Sequence, residues 1–180
     1  MVIAVALAVL MAASAYAQTT DFFDLVKTGT PQQIEAAINQ GANANARDMN
    51  GVTPLMYAAE YNQHPDVITM LLDAGAAINA RANAGTTPLM WAAISNPNPE
   101  VTTVLLKTGA DVKARDMNGM TPLMWAAISN LNPEVIIALL KAGADAKAKD
   151  KTRMTAFDYA KSNQNLRGSD ALKQLEEASK

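Results

Sequence analysis

Apolar and polar positions along this chain repeat on two scales, every three to four residues within short runs and every 34 residues from run to run. In the run TPLMWAAISN, Leu89, Ala92 and Ala93 fall at i, i+3 and i+4, which places them on one helical face. Thr87 offers a capping oxygen and Pro88 a φ suited to the first helical position, so a helix is predicted to start there and to close at Ser95 and Asn96. Its two alanines let a neighbouring helix approach closely. A second helix is predicted from Asn98, with Pro99 at its first position and Glu100 at the positive end of the dipole. Val101, Leu105 and Leu106 form its expected buried stripe, Lys107 sits in the last turn, and Gly109 supplies the left-handed residue that ends it. The two helices are predicted to be antiparallel. Residues 110–119 have no helical period and finish in Asn118-Gly119, so they are expected to project as a short hairpin-like finger.

The same decapeptide returns at Thr121, with looser copies TPLMYAAEYN at Thr53 and TAFDYAKSNQ at Thr155. Helix starts recur at His64-Pro65-Asp66 and Asn132-Pro133-Glu134, and stops at Gly75 and Gly143. A helix pair this small cannot bury its apolar face alone, so a constant period implies neighbours stacked into one continuous core. The expected units are a capping pair at residues 21–47, repeats at 48–81, 82–115 and 116–149, and a terminal cap at 150–180. In the first cap Thr30-Pro31 starts the outer helix and Gly41 ends it. In the last, Lys161, Lys173, Glu176 and Glu177 give the exposed end its polarity.

Thr-Pro-Leu-x-x-Ala-Ala, then Leu-Leu-x-x-Gly-Ala, then a turn ending in Gly resembles the ankyrin repeat, over nearly all of the chain after Gln18. The resemblance implies an all-α solenoid of stacked antiparallel helix pairs with β-turn fingers. It also implies a protein partner bound on the concave surface that fingers and inner helices form. Carried over position by position, that surface holds Met49, Val52, Tyr57 and Tyr61, then Trp91 and Ile94, then Met117, Met120, Trp125 and Ile128. Three departures stand out. Met56, Met90 and Met124 replace the family's histidine, so packing is expected where a hydrogen bond would be. The period is 34 rather than about 33, with the extra residue in the inter-helix turn. Asn62, Asn96 and Asn130 replace the turn glycine, and asparagine tolerates left-handed backbone; Asn96, however, precedes Pro97 and is biased toward extended geometry, so the three turns are not expected to match.

One aromatic per repeat, at Tyr57, Trp91, Trp125 and Tyr159, forms a column along the inner helices. Two readings of it coexist, rings packed between repeats and rings presenting an apolar strip to a partner.

Charge and composition act mainly by exclusion. With 15 Lys and Arg against 17 Asp and Glu there is no broad cationic face for phosphates, which argues against nucleic acid. The absence of cysteine removes disulfides, thiolate metal sites and a cysteine nucleophile. A single histidine, His64, removes most general-base schemes and reads as a helix cap or surface residue. No phosphate loop or nucleophile–base pair appears, so no catalytic residue, metal site or cofactor is assigned. Lys141, Lys147, Lys149, Lys151 and Arg153, interspersed with Asp145 and Asp150, read as a solvated face. Ten methionines leave one alternative function, oxidant scavenging or Cu(I) binding through Met49, Met117 and Met120.

The opening MVIAVALAVLMAASAYA is uncharged and apolar and ends in a small-x-small pattern, which reads as a secretory signal peptide cleaved after Ala17. The alternative is a membrane anchor, although 17 residues of helix rise only about 25 Å against a hydrocarbon core of about 30 Å. The sequence is therefore read as an exported (periplasmic or secreted) non-catalytic module that binds an unidentified protein. Its mature form has no membrane span, and a capped solenoid gives no reason to expect more than a monomer.

Overall fold

The computed structural model describes residues 22–180, so the predicted leader and its cleavage point lie outside the described residues. The described residues are helical with no strand. Residues 22–28 form α1; α2 (Pro31–Asn39), α3 (Pro54–Tyr61), α4 (Pro65–Asp73), α5 (Pro88–Ser95), α6 (Pro99–Lys107), α7 (Pro122–Ser129), α8 (Pro133–Lys141), α9 (Ala156–Ala160) and α10 (Asp170–Ala178) follow.

Helix starts follow the predicted chemistry. Proline opens α3, α5 and α7, and the Thr53, Thr87 and Thr121 hydroxyls accept the amides of Met56, Met90 and Met124 at 3.4, 3.4 and 3.3 Å. The methionines do more than the expected packing. The sulfurs of Met56 and Met124 accept the Thr53 and Thr121 amides at 3.5 and 3.4 Å, closing a capping box with a weak acceptor. On the outer helices, Asn98 and Asn132 accept the amides of Glu100 and Glu134, each at 3.0 Å. His64 occupies the matching position before α4 but makes no side-chain capping bond and is exposed. Gly109 ends α6 at φ +100°, as its predicted role requires.

The helices form two rows. In the inner row α3 packs on α5, α5 on α7 and α7 on α9; in the outer row α2, α4, α6, α8 and α10 pack in sequence. Ala58, Ala59, Ala92, Ala93, Ala126 and Ala127 are fully buried between inner helices, and Leu71, Leu105 and Leu139 face them from the outer row. Each buried leucine contributes about 1.5–3 kcal/mol, whereas backbone ordering costs about 1–2 kcal/mol per residue. One unit cannot offset that cost from its own few apolar side chains; shared walls can. The stripe of α6 differs in detail from expectation, because Thr102 is fully buried and Leu106 is partly exposed.

The inter-helix turns correct the sequence reading. Asn62, Asn96 and Asn130 have φ −80°, −69° and −63° with ψ between 118° and 136°, so all three are extended and closely alike rather than left-handed and dissimilar. Their side chains explain the residue type. Asn62 Nδ2 donates to the carbonyls of Val26 (3.0 Å) and Gly29 (2.9 Å), and Asn96 Nδ2 to those of Ala59 (2.8 Å) and Asn62 (2.9 Å). Asn130 Nδ2 donates to Ala93 (2.9 Å) and Asn96 (3.3 Å), and Asn163 Nδ2 to Ala127 (3.2 Å) and Asn130 (3.3 Å). Each Oδ1 accepts the amide two residues on, at His64, Asn98, Asn132 and Asn165. A buried asparagine ladder thus satisfies turn carbonyls that packing would otherwise strand.

Candidate partner-binding surface

Three of the four fingers begin with an aspartate that binds the turn. Asp48 Oδ1 accepts the amides of Asn50 and Val52, both at 2.8 Å, while Oδ2 accepts the Tyr57 hydroxyl at 2.9 Å. Asp116 accepts Asn118 and Met120 amides and the Trp125 indole N–H (3.3 Å). Asp150 accepts the amides of Thr152 and Met154 and the hydroxyl of Tyr159. The second repeat has Ala82 here, and the Trp91 indole turns instead to Thr86 Oγ1 at 3.0 Å. The column residues are tyrosine and tryptophan because each needs an apolar body on the helix and a donor for the finger. Burial and the Asp48 carboxylate push Tyr57 up to about 12. Burial alone would raise Asp150, but bonds from Tyr159, Thr152 and Met154 hold it below the usual carboxylate range.

The fingers are joined edge to edge by amides of Asn83, Met117 and Lys151 donating to carbonyls of Asn50 (2.9 Å), Ala84 (3.0 Å) and Asn118 (3.0 Å). A second 34-residue column reinforces them: Arg47 donates to the Arg81 carbonyl, Arg81 to that of Arg115, and Arg115 to that of Lys149. On the inner helices the Tyr57 ring meets Phe23 and Trp91 edge-to-face, at centroid distances of 5.7 and 5.9 Å. Lys27 Nζ lies 4.7 Å from the Tyr57 ring centroid and 2.7 Å from Asp24.

On this frame the predicted surface residues divide. Met49 is 95% exposed, Met117 63% and Tyr61 50%; Ile94, Ile128, Tyr57, Trp91 and Trp125 are half-buried and reach solvent along an edge. Val52 and Met120 do not belong to the surface. Val52 is buried with Met56, Ala80 and Ala82 between two fingers, and Met120 joins the main core, because the finger's turn directs the residue after its glycine inward. Sequence reasoning missed the aspartate and arginine columns and the reach of the asparagines across repeats, whose only signal was recurrence at the repeat spacing.

The thioethers do not converge. Met49 and Met117 sit on the first and third fingers with the second between them, and Met120 is buried. Among the described residues no three His, Cys, Asp or Glu side chains are grouped to hold a metal ion. Among them, too, no helix is long and apolar enough to cross a membrane.

A family model described as ankyrin repeats (3 copies) matches residues 22–116 and again 98–178. No curated protein matches the chain. The Thr-Pro helix starts, the paired rows of short helices and the edge-joined fingers are what that match covers, and the chain belongs to the ankyrin-repeat family.

Proposed function

We propose that this protein is an exported, non-catalytic adaptor that holds a protein partner against the face made by its fingers and inner helices. Ankyrin repeats indicate a protein–protein interaction module. The observation that carries the reading is the exposure of Met49, Met117 and Tyr61 on a frame whose fingers are tied by main-chain and arginine bonds. Large apolar side chains on a rigid support lose little entropy on docking, which is what an efficient binding surface requires. Ile94, Ile128 and the edges of Tyr57, Trp91 and Trp125 extend the same strip; Val52 and Met120 serve it from beneath. Export rests on the apolar leader, with cleavage after Ala17 and a periplasmic or extracellular destination.

Capture of partners by wild-type protein and by a Met49→Ser/Tyr61→Ser/Met117→Ser variant tests the surface, with Thr103→Ala/Lys107→Ala on the outer row as control. Equal capture by all three, with helicity unchanged, would reject this face. Sequencing the amino terminus of cell-derived protein tests export: a start at Met1 would reject cleavage.

A further inference from the structure

The first copy of the decapeptide departs from the other two at three positions, with Tyr57, Glu60 and Tyr61 where they have Trp, Ile and Ser. Its seven other residues are buried, and these three are the ones that reach solvent. The seven buried residues are identical in all three copies, so the differences fall only on positions that reach solvent, where Tyr57 also packs on Phe23 of the first cap. They replace an apolar strip by a carboxylate between two phenols.

That carboxylate is incompletely satisfied. Glu60 Oε1 accepts the Ser95 hydroxyl at 3.1 Å, but Oε2 is sealed from solvent without a hydrogen-bond donor among the described residues. An unmet carboxylate oxygen away from water is costly. Burial, the Glu60 charge and the approach of the hydroxyl to that carboxylate raise the Tyr61 phenol, which places it beside Glu60 without giving Oε2 a bond of good geometry. The nearby cation Lys27 is engaged elsewhere, with Asp24 and the Tyr57 ring, and its position shows that an ammonium sits well on this aromatic face.

Resting on the proposed docking face, we infer that Glu60, flanked by Tyr57 and Tyr61, receives a lysine or arginine side chain projecting from an otherwise apolar segment of the partner. The incoming N–H groups supply Oε2 with its donor once the half-exposed Tyr61 ring swings aside, and the two rings flank the cation. A neutral donor would satisfy the oxygen but leave its charge unpaired.

The test uses a surface array of short peptides with alanine, leucine, isoleucine and serine flanks and a central Arg, Lys, Gln or Glu. Wild type is expected to hold the Arg and Lys peptides about tenfold or more tightly than their Gln sisters, the scale of a charge-assisted bond. Glu60→Gln, and Glu60→Ile/Tyr61→Ser, which writes the other copies' residues into the first, are expected to lose that preference while still holding apolar peptides. Equal holding of Arg and Gln peptides by wild type, or a preference that survives both variants, would overturn the cation site. In either case Ile94→Ser reports on the face itself: weaker capture of every peptide leaves the docking face standing, and unchanged capture removes it as well.

Discussion

The side-chain amide of Asn96 donates to the backbone carbonyl of Asn62, 34 residues earlier, at 2.9 Å. Its oxygen meanwhile holds the Asn98 amide at 2.9 Å, and the residue is fully buried. Asn96→Ala would strand two carbonyls and one amide, so a loss of about 2–4 kcal/mol is expected in urea unfolding. Asn96→Gly should cost at least as much, because φ is −69° and glycine's left-handed freedom offers nothing there. If glycine proves neutral, the ladder is dispensable.

Thr102 is fully buried and its Oγ1 has no partner among the described residues, whereas the matching residues of α4 and α8 are Ile68 and Ile136. Thr102→Val, nearly isosteric, removes an unmet hydroxyl and should stabilise by about 1 kcal/mol. An unchanged or lower urea midpoint would mean that the hydroxyl is satisfied in solution.

Ala82 stands where the other fingers carry aspartate, yet its finger keeps the same main-chain frame: the Ala82 amide bonds the Thr86 carbonyl at 3.0 Å, as the Asp116 amide bonds that of Met120 at 3.0 Å. Ala82→Asp would give the amides of Ala84 and Thr86 an acceptor, with an expected gain of about 0.5–1.5 kcal/mol. Protection of those two amides from hydrogen exchange should rise; if it does not, the aspartate is not what organises a finger.

Acid should weaken the terminal unit. Asp158 is held far below the usual carboxylate range by Lys161, at 2.9 Å, and by the amide and hydroxyl of Thr155. A depressed folded-state value contributes stability above the unfolded value of about 3.9 and loses it as pH falls through the folded one. Asp150 acts in the same direction. The melting temperature is therefore expected to fall below about pH 4, and Asp158→Asn should flatten that fall. The pair with Lys161 is partly solvated, so its share is small. In base the sign reverses for Tyr57: its contribution is intact below the unfolded value of about 10 and lost as pH rises through about 12. Phenolate absorbance should show its ionisation lagging behind that of an ordinary tyrosine.

The helices and their ends were legible because local chemistry writes them: Thr-Pro starts, Asn98 and Asn132 caps, and glycine stops act within a few residues. The stacked arrangement was legible from the spacing. What escaped was action between units. Asn62, Asn96 and Asn130 read as turn residues because a local account offers asparagine only left-handed backbone, whereas their amides work across the repeat boundary. Val52 and Met120 read as surface by transfer from the family, but the turn after the finger's glycine directs their side chains inward, as it does Thr86 in the finger that lacks the aspartate. Met49 and Met117, beyond that inward turn, lie where the sequence put them.

The two columns grip in opposite directions. Each turn asparagine reaches back to the unit before it, and each arginine reaches forward to the unit after it. A cassette spanning residues 82–115 therefore carries both a socket and a plug, and a gene duplicating it in frame should yield a longer rod whose new joint is held by the same two columns.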